Sequence, residues 1–290
     1  MNIRPILLLI GLVVAVVPVR AESPYGSATD FTKYAMKLRE SALLKVEPQV
    51  IVPTRNRSLI PGRYPWKNNI VTTVFWVGEQ PTQNNPVPNT KSSWDVQWHS
   101  NFGGYDNPDK AARRGYLPAN FVPKLNPFYV ALPYNDVTRG TTKPESKIVI
   151  PWFRSNFVKE GQSVCRDRWI AIRKGNRVCY AQWSDCGPFR TDHWQYVFGN
   201  ERPKPNLNQG AGLDVSPAVR DYLGISGKDV CDWKFVEFKD VPNGPWASHG
   251  ENNHFVQKRR IGTSQVAKNL NPAVPGERAP KVSAPTVITK

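Results

Sequence analysis

Between Trp169 and Trp183, apolar and polar residues alternate about the pair Gly175-Asn176. This pattern predicts two antiparallel strands joined by a two-residue turn, with Gly175 at the position that takes positive φ. Pairing Lys174 with Arg177 puts Ile170, Ile172, Cys179, Ala181 and Trp183 on one face and Arg173 and Tyr180 on the other. A slip of one residue would expose the whole apolar set, so burial fixes the register. Other β-like runs are Val71 to Val77, Phe128 to Leu132, Lys147 to Pro151, Leu213 to Val215, and Trp233, Phe235 and Phe238. The 27 Pro and ten Trp, with few long periodic stretches, speak for short strands and turns over an all-helical bundle. At 290 residues and 40% apolar, the chain can bury a core and is not wholly disordered.

Two short helices are specified by their ends. Ser216 suits an N-cap, Pro217 the first helical position and Gly224 the residue past the end, with Val219 and Leu223 facing inward. Near the start, Thr29 or Asp30 caps a stripe of Phe31, Ala35, Leu38 and Ala42.

Arg4 precedes a twelve-residue apolar run from Ile6 to Val17, and Val19-Arg20-Ala21 offers a small-residue cleavage pattern. That run is too short to span the ~30 Å hydrocarbon layer as a helix, and residues 1–21 have the layout of a secretory signal. The formal charge of +16 then falls to +14 in the mature chain. A basic exported protein is expected in a secreted or periplasmic cell-envelope setting, with anionic cell-wall polymers, lipopolysaccharide or acidic glycans as partners rather than nucleic acid. Cys165, Cys179, Cys186 and Cys231 form an even set, so two disulfides are expected outside the cytosol. The hairpin register, carried outward, sets Cys165 opposite Cys186 and leaves Cys179 for Cys231; the alternative is Cys165 with Cys179 and Cys186 with Cys231. The cysteines lack metal-like spacing, and the sequence implies no metal and no cofactor. Asp106, Asn107 and Asp109 resemble part of a calcium loop but lack its closing Glu.

The expected organisation is an N-terminal extension over 22–69, a β domain over 70–254 and a basic disordered tail over 255–290. Within the β domain, 79–124 reads as an insertion kept ordered by Trp94, Trp98, Phe102 and Tyr105. Beyond Phe255 there are seven Lys/Arg, one Glu and almost nothing to bury.

The string Trp183-Ser-Asp185-Cys-Gly187-Pro188-Phe189, followed by Gly212-Leu-Asp214-Val-Ser216-Pro-Ala-Val, resembles the double-psi β-barrel superfamily. It is most similar to the rare lipoprotein A family, in which a strand ends in Asp-x-Gly-Pro-Phe and a second ends in Asp-Leu-Ser before a short helix. Barwin-like endoglucanases and expansins share the barrel. The likeness spans roughly 70–238 and is strong over 179–236. It implies a mainly β fold, a six-stranded double-psi β-barrel with short helices. It also implies peptidoglycan or another anionic or neutral polysaccharide as partner, and Asp185 as acid/base in glycan cleavage of the lytic transglycosylase or endoglucanase type, with Asp214 as second carboxylate. Trp183 and Phe189 would flank Asp185 or stack on sugar, Tyr134 and Asp136 would stand at the groove rim, and Arg190, His193 and Trp194 would line it.

The same residues have plainer readings. An Asp before Gly-Pro often ties a turn through backbone N–H groups, an Asp before a helix start can do likewise, and a loop His is often simply solvated. The family's His ahead of Thr-Leu-Pro has no counterpart in Phe128-Tyr-Val-Ala-Leu-Pro133, and Glu79 follows a different strand from the family's Gly-Glu. A non-catalytic, expansin-like wall-binding module is therefore the alternative function.

Overall fold

The computed structural model describes residues 29–30, 32–38, 64–82, 85 and 88–270. Both the expected signal and the final twenty residues lie outside them. The chain divides into two compact units, 1–51 and 52–290. In the first, residues 29–30 and 32–38 are helical, so a helix forms where the stripe predicted it, but Thr29 and Asp30 lie within it instead of capping it; Phe31 and Ala42 of its stripe lie outside the described residues. No helix among the described residues is long and apolar enough to cross a membrane.

The second unit is built on a closed six-stranded mixed β-barrel. In chain order the strands are β1 (Lys67–Val74), β2 (Tyr129–Leu132), β3 (Trp169–Lys174), β4 (Arg177–Cys186), β5 (Leu213–Val215) and β6 (Asp229–Phe235). Around the barrel the order is β1-β6-β3-β4-β2-β5, returning to β1. The β1–β5 and β2–β4 pairs are parallel and the other four antiparallel. The hairpin has the predicted register, with Lys174 opposite Arg177 and Ile172 opposite Cys179.

Alternation decides which side chains enter the barrel. Ile170, Ile172, Cys179, Ala181 and Trp183 of the hairpin are buried there with Ile70, Val130, Leu132, Leu213, Val215 and Trp233. Full burial of each large apolar chain is worth roughly 1.5–3 kcal/mol. Two indoles of the barrel core are satisfied: Trp183 Nε1 donates to the Asp185 carbonyl and Trp233 Nε1 to Tyr196 Oη, each at 2.7 Å. The short helix α1 (Pro217–Leu223) forms as its ends predict, with Ser216 Oγ accepting from Val219 N and Gly224 in the left-handed region. Val219 and Leu223 pack inward.

Strand β2 is buried on both faces. Its alternate residues Tyr129 and Ala131 face a second cluster with Phe75, Val77, Trp98 and Phe102. Tyr129 sits edge-on to Phe75, Trp98 and Phe102 at 5.3–5.8 Å. The 79–124 insertion thus packs on the outside of the barrel through the aromatics that marked it as ordered; Tyr105 instead remains 43% exposed.

Four boundaries differ from expectation. Ordered packing begins at Tyr64, which joins the main core, and β1 begins at Lys67, so the end of the presumed extension belongs to the barrel unit. The run from Lys147 to Pro151 forms no strand: Ser146–Val149 is helical, with Ile150 buried and Ile148 exposed, because the Glu145 carbonyl takes the N–H groups of Ile148 and Val149. Phe238 lies past β6 in a 3₁₀ turn. Residues 255–270, placed in the expected tail, belong to helix α2 (His254–Leu270), because Phe255 packs edge-on to Trp169 and Phe238.

Candidate functional site

The barrel register brings the two predicted acids together. Ala131 on β2 pairs with Asp185 on β4 and with Asp214 on β5, and Asp214 pairs in turn with Thr73 on β1. Residues directly opposite one another share a face of the sheet. Asp185, Ala131, Asp214 and Thr73 therefore form one row across four strands, on the outer side with Tyr129's cluster. Two interstrand spacings, about 9–10 Å of backbone, separate the acids, with the methyl of Ala131, itself 2% exposed, between them.

Asp185 is 8% exposed. Its Oδ1 accepts the backbone N–H groups of Cys186 and of Ser93 from the insertion, both at 2.7 Å. Burial pushes its carboxyl up to about 6 despite these bonds. Asp214 accepts the Thr73 hydroxyl at Oδ1. Burial raises it to about 7, and the charges of Glu79 and Asp185 add to the rise.

Glu79 is the third member, and sequence reasoning did not assign it to the site. β1 ends at Val74, and the chain runs on through Phe75 to a turn in which Glu79 N–H bonds the Trp76 carbonyl. Gly78 has φ +85°, and a Cβ there would lie 2.9 Å from the rings of His99 and Tyr105. Glu79 Oε2 accepts from Asn85 Nδ2 at 3.1 Å and Asn89 Nδ2 at 2.7 Å. Burial pushes its carboxyl up to about 7. The one available signal was the Gly-Glu dipeptide itself; its position depended on the parallel pairing of β1 with β5, which local sequence does not encode.

A cavity of about 580 Å³ borders this row through Thr73. Trp76, Asn107, Asp109, Arg220 and Lys228 also line it. Trp76 is the one aromatic in this lining, which includes none of the three acids, and it too was not singled out from the sequence.

The other candidates divide by burial. Trp183, Tyr134, Asp136 and His193 are each at most 2% exposed, so no face of theirs is open to a sugar. Trp183 fills the barrel. Tyr134 bonds Ser146, Asp136 accepts from Ser163 Oγ and Val164 N, and His193 Nε2 meets Glu201 at 3.1 Å. Asp136 therefore holds the loop ahead of Cys165. Phe189 is 45% exposed, and Arg190 and Trp194 are half-buried beside it in sequence. Asp106 lies against Arg113, and no metal-binding cluster occurs among the described residues.

The four cysteines are free thiols, so the expected disulfides are not formed. Cys179 lies opposite Ile172, which lies opposite Trp233 on β6. Cys179 and Cys231 are thus on strands two spacings apart, about 9–10 Å, beyond the ~7 Å Cα separation a bridge tolerates. The Cys186 thiolate's charge opposes ionisation of Cys165, and that of Cys231 opposes ionisation of Cys179, though burial is the larger cause in each.

No protein-family model and no curated protein matches this chain.

Proposed function

We propose that this chain is an exported, cell-envelope glycan-active protein with a double-psi barrel of the rare lipoprotein A and expansin type, in which Asp185 and Asp214, with Glu79, cleave a polysaccharide. The single observation that carries this reading is the gathering of three carboxyl groups held near 6–7 around one row of the barrel. Glycosidic cleavage needs a carboxylic acid still protonated near neutrality to protonate the leaving oxygen. A second carboxylate either activates water or, in a lytic reaction, is dispensable because a hydroxyl of the sugar attacks in its place. Support for the barrel type comes from the closed six-stranded mixed sheet and from the positions of the two Asp motifs at the ends of β4 and β5. Peptidoglycan is the proposed substrate, and a secreted or periplasmic site follows from the N-terminal signal pattern.

One observation favours the non-catalytic alternative: Asp185 Oδ1 is taken by two backbone N–H groups, as in an acid that braces a turn. The deciding experiment incubates purified protein and its Asp185→Asn variant with peptidoglycan sacculi, measuring released soluble fragments and bound protein. The enzyme reading expects fragments from the parent, a drop of at least 100-fold in the variant and unchanged binding. Binding by both proteins with no release from either establishes the binding module instead.

A further inference from the structure

A second cavity, of about 540 Å³, lies between helix α2 and the turn that follows β6. It shares no lining residue with the cavity beside the acids. Phe238 and Phe255 form its apolar wall, their rings edge to face at 4.9 Å. Phe255 also packs on Trp169, which ties the helix to barrel strand β3. The polar lining is Lys239, Lys258, Arg259 and Asn243, with no carboxylate.

Three cations thus converge on a half-buried aromatic wall. Arg259 is steadied by donating from Nη2 to the Ala247 carbonyl at 2.9 Å. Lys239 and Lys258 have no ion pair and no hydrogen bond among the described residues. Of the nearby acids, Glu251 faces Arg260 at 3.7 Å, Glu237 pairs with Arg168, and Asp240, next to Lys239 in sequence, is not in the lining. Like charges lining one cavity repel one another, and an anion entering it would relieve that repulsion.

We propose that this cavity is an anchoring site for an acidic polysaccharide, the anionic group lying between Lys239, Lys258 and Arg259 and a sugar face lying against Phe238 and Phe255. A concave lining with a few polar groups set against aromatic rings is the usual form of a small-ligand site. A membrane surface fits less well, because it requires apolar side chains projecting outward from a helix, whereas both phenyl rings are partly buried. The proposal stands apart from the carboxylate site, since it requires binding and no turnover.

The test is calorimetric titration of the full chain with short oligogalacturonate and with neutral cello-oligosaccharide of equal length. The expected result is binding of the acidic probe only, weakened about tenfold by Lys239→Gln with Lys258→Gln, the loss of two charge-assisted contacts. A control pair that removes equal charge at exposed positions of the insertion, Lys110→Gln with Arg114→Gln, should change affinity less than twofold. Asp185→Asn should leave it unchanged, which keeps this result independent of any catalytic one. Equal loss in the control pair, equal binding of the neutral probe, or binding confined to vesicles of anionic phospholipid would each overturn the proposal.

Discussion

Asp185 and Asp214 belong to different strands, yet each is in register with the same residue, Ala131. One acid approaches β2 from its parallel neighbour and the other from its antiparallel neighbour. Only a methyl group stands between them on that row, and it is buried. Glu79 approaches from beyond β1 and adds the third charge that Asp214 feels.

This clustering gives stability a pH dependence. Unfolded, the three carboxyls titrate near 4; folded, burial raises them to about 6–7. Between those values the folded chain retains protons that the unfolded chain has released, so these groups make stability fall as pH rises through that window. Asp214→Asn should reduce the drop in thermal midpoint between pH 5 and pH 8 by about 5 °C. An unchanged drop in differential scanning calorimetry would show that Asp214 is not held protonated by the fold.

Asp106 and Arg113 are at most 2% exposed at the side chain and meet at 2.5 Å. Tyr129 Oη donates to Asp106 and accepts the Val77 N–H, which links the buried pair to the segment leading to Glu79. Asp106→Ala should cost about 3–5 kcal/mol by stranding a buried guanidinium, partly offset by Asp221 at 3.2 Å. Tyr129→Phe should cost about 1–3 kcal/mol by leaving polar groups unsatisfied. Urea unfolding gives both values, and a loss below 1 kcal/mol for Asp106→Ala would contradict the pairing.

Ser216 has two tasks: it caps α1 by accepting from Val219 N and donates to the Pro127 carbonyl at 2.7 Å, just ahead of β2. Ser216→Ala should lower stability by about 1–2 kcal/mol. Ser216→Thr, which restores a hydroxyl, should recover part of that loss. Equal stability of the Ala and Thr variants would show that the hydroxyl contributes nothing.

The cysteines carry a distinct expectation. Burial holds the Cys165 and Cys179 thiols well above the ordinary range and pushes Cys231 up to about 11. At pH 8 the folded protein should alkylate slowly at these three positions and rapidly once denatured. If protein from an oxidising compartment carries a bridge, peptide mapping should find Cys165 joined to Cys186. A Cys179–Cys231 linkage would refute the strand spacing described above.

The hairpin and α1 were legible because their signals are local. A glycine turn with period-two burial fixes one register, and Ser-Pro at one end with Gly at the other fixes a helix. The two acid motifs were legible for the same reason. Misread segments had local patterns that long-range contacts overruled. Lys147 to Pro151 looked like a strand, but the Glu145 carbonyl and burial of Ile150 favoured a helical turn. Phe255 looked like the last apolar residue before a tail, but a place against Trp169 and Phe238 anchors a helix.

The candidate lining of the site shows the same division. Trp183 alternates into the barrel interior, as the register required, and is therefore closed to sugar. Being apolar and next to Asp185 marked it equally for core or for site, and burial separates the two.

By itself, the sequence determined the strand-turn-strand register, the capped helix and the identity of two acids, because each depends on residues within a few positions of one another. Only the tertiary structure decided that Asp185 and Asp214 share one row within reach of Glu79's charge, and that Lys239 and Lys258 line one cavity with Phe238 and Phe255. Those encounters depend on how six strands close into a barrel, and closure is a property of pairings between segments tens to more than a hundred residues apart.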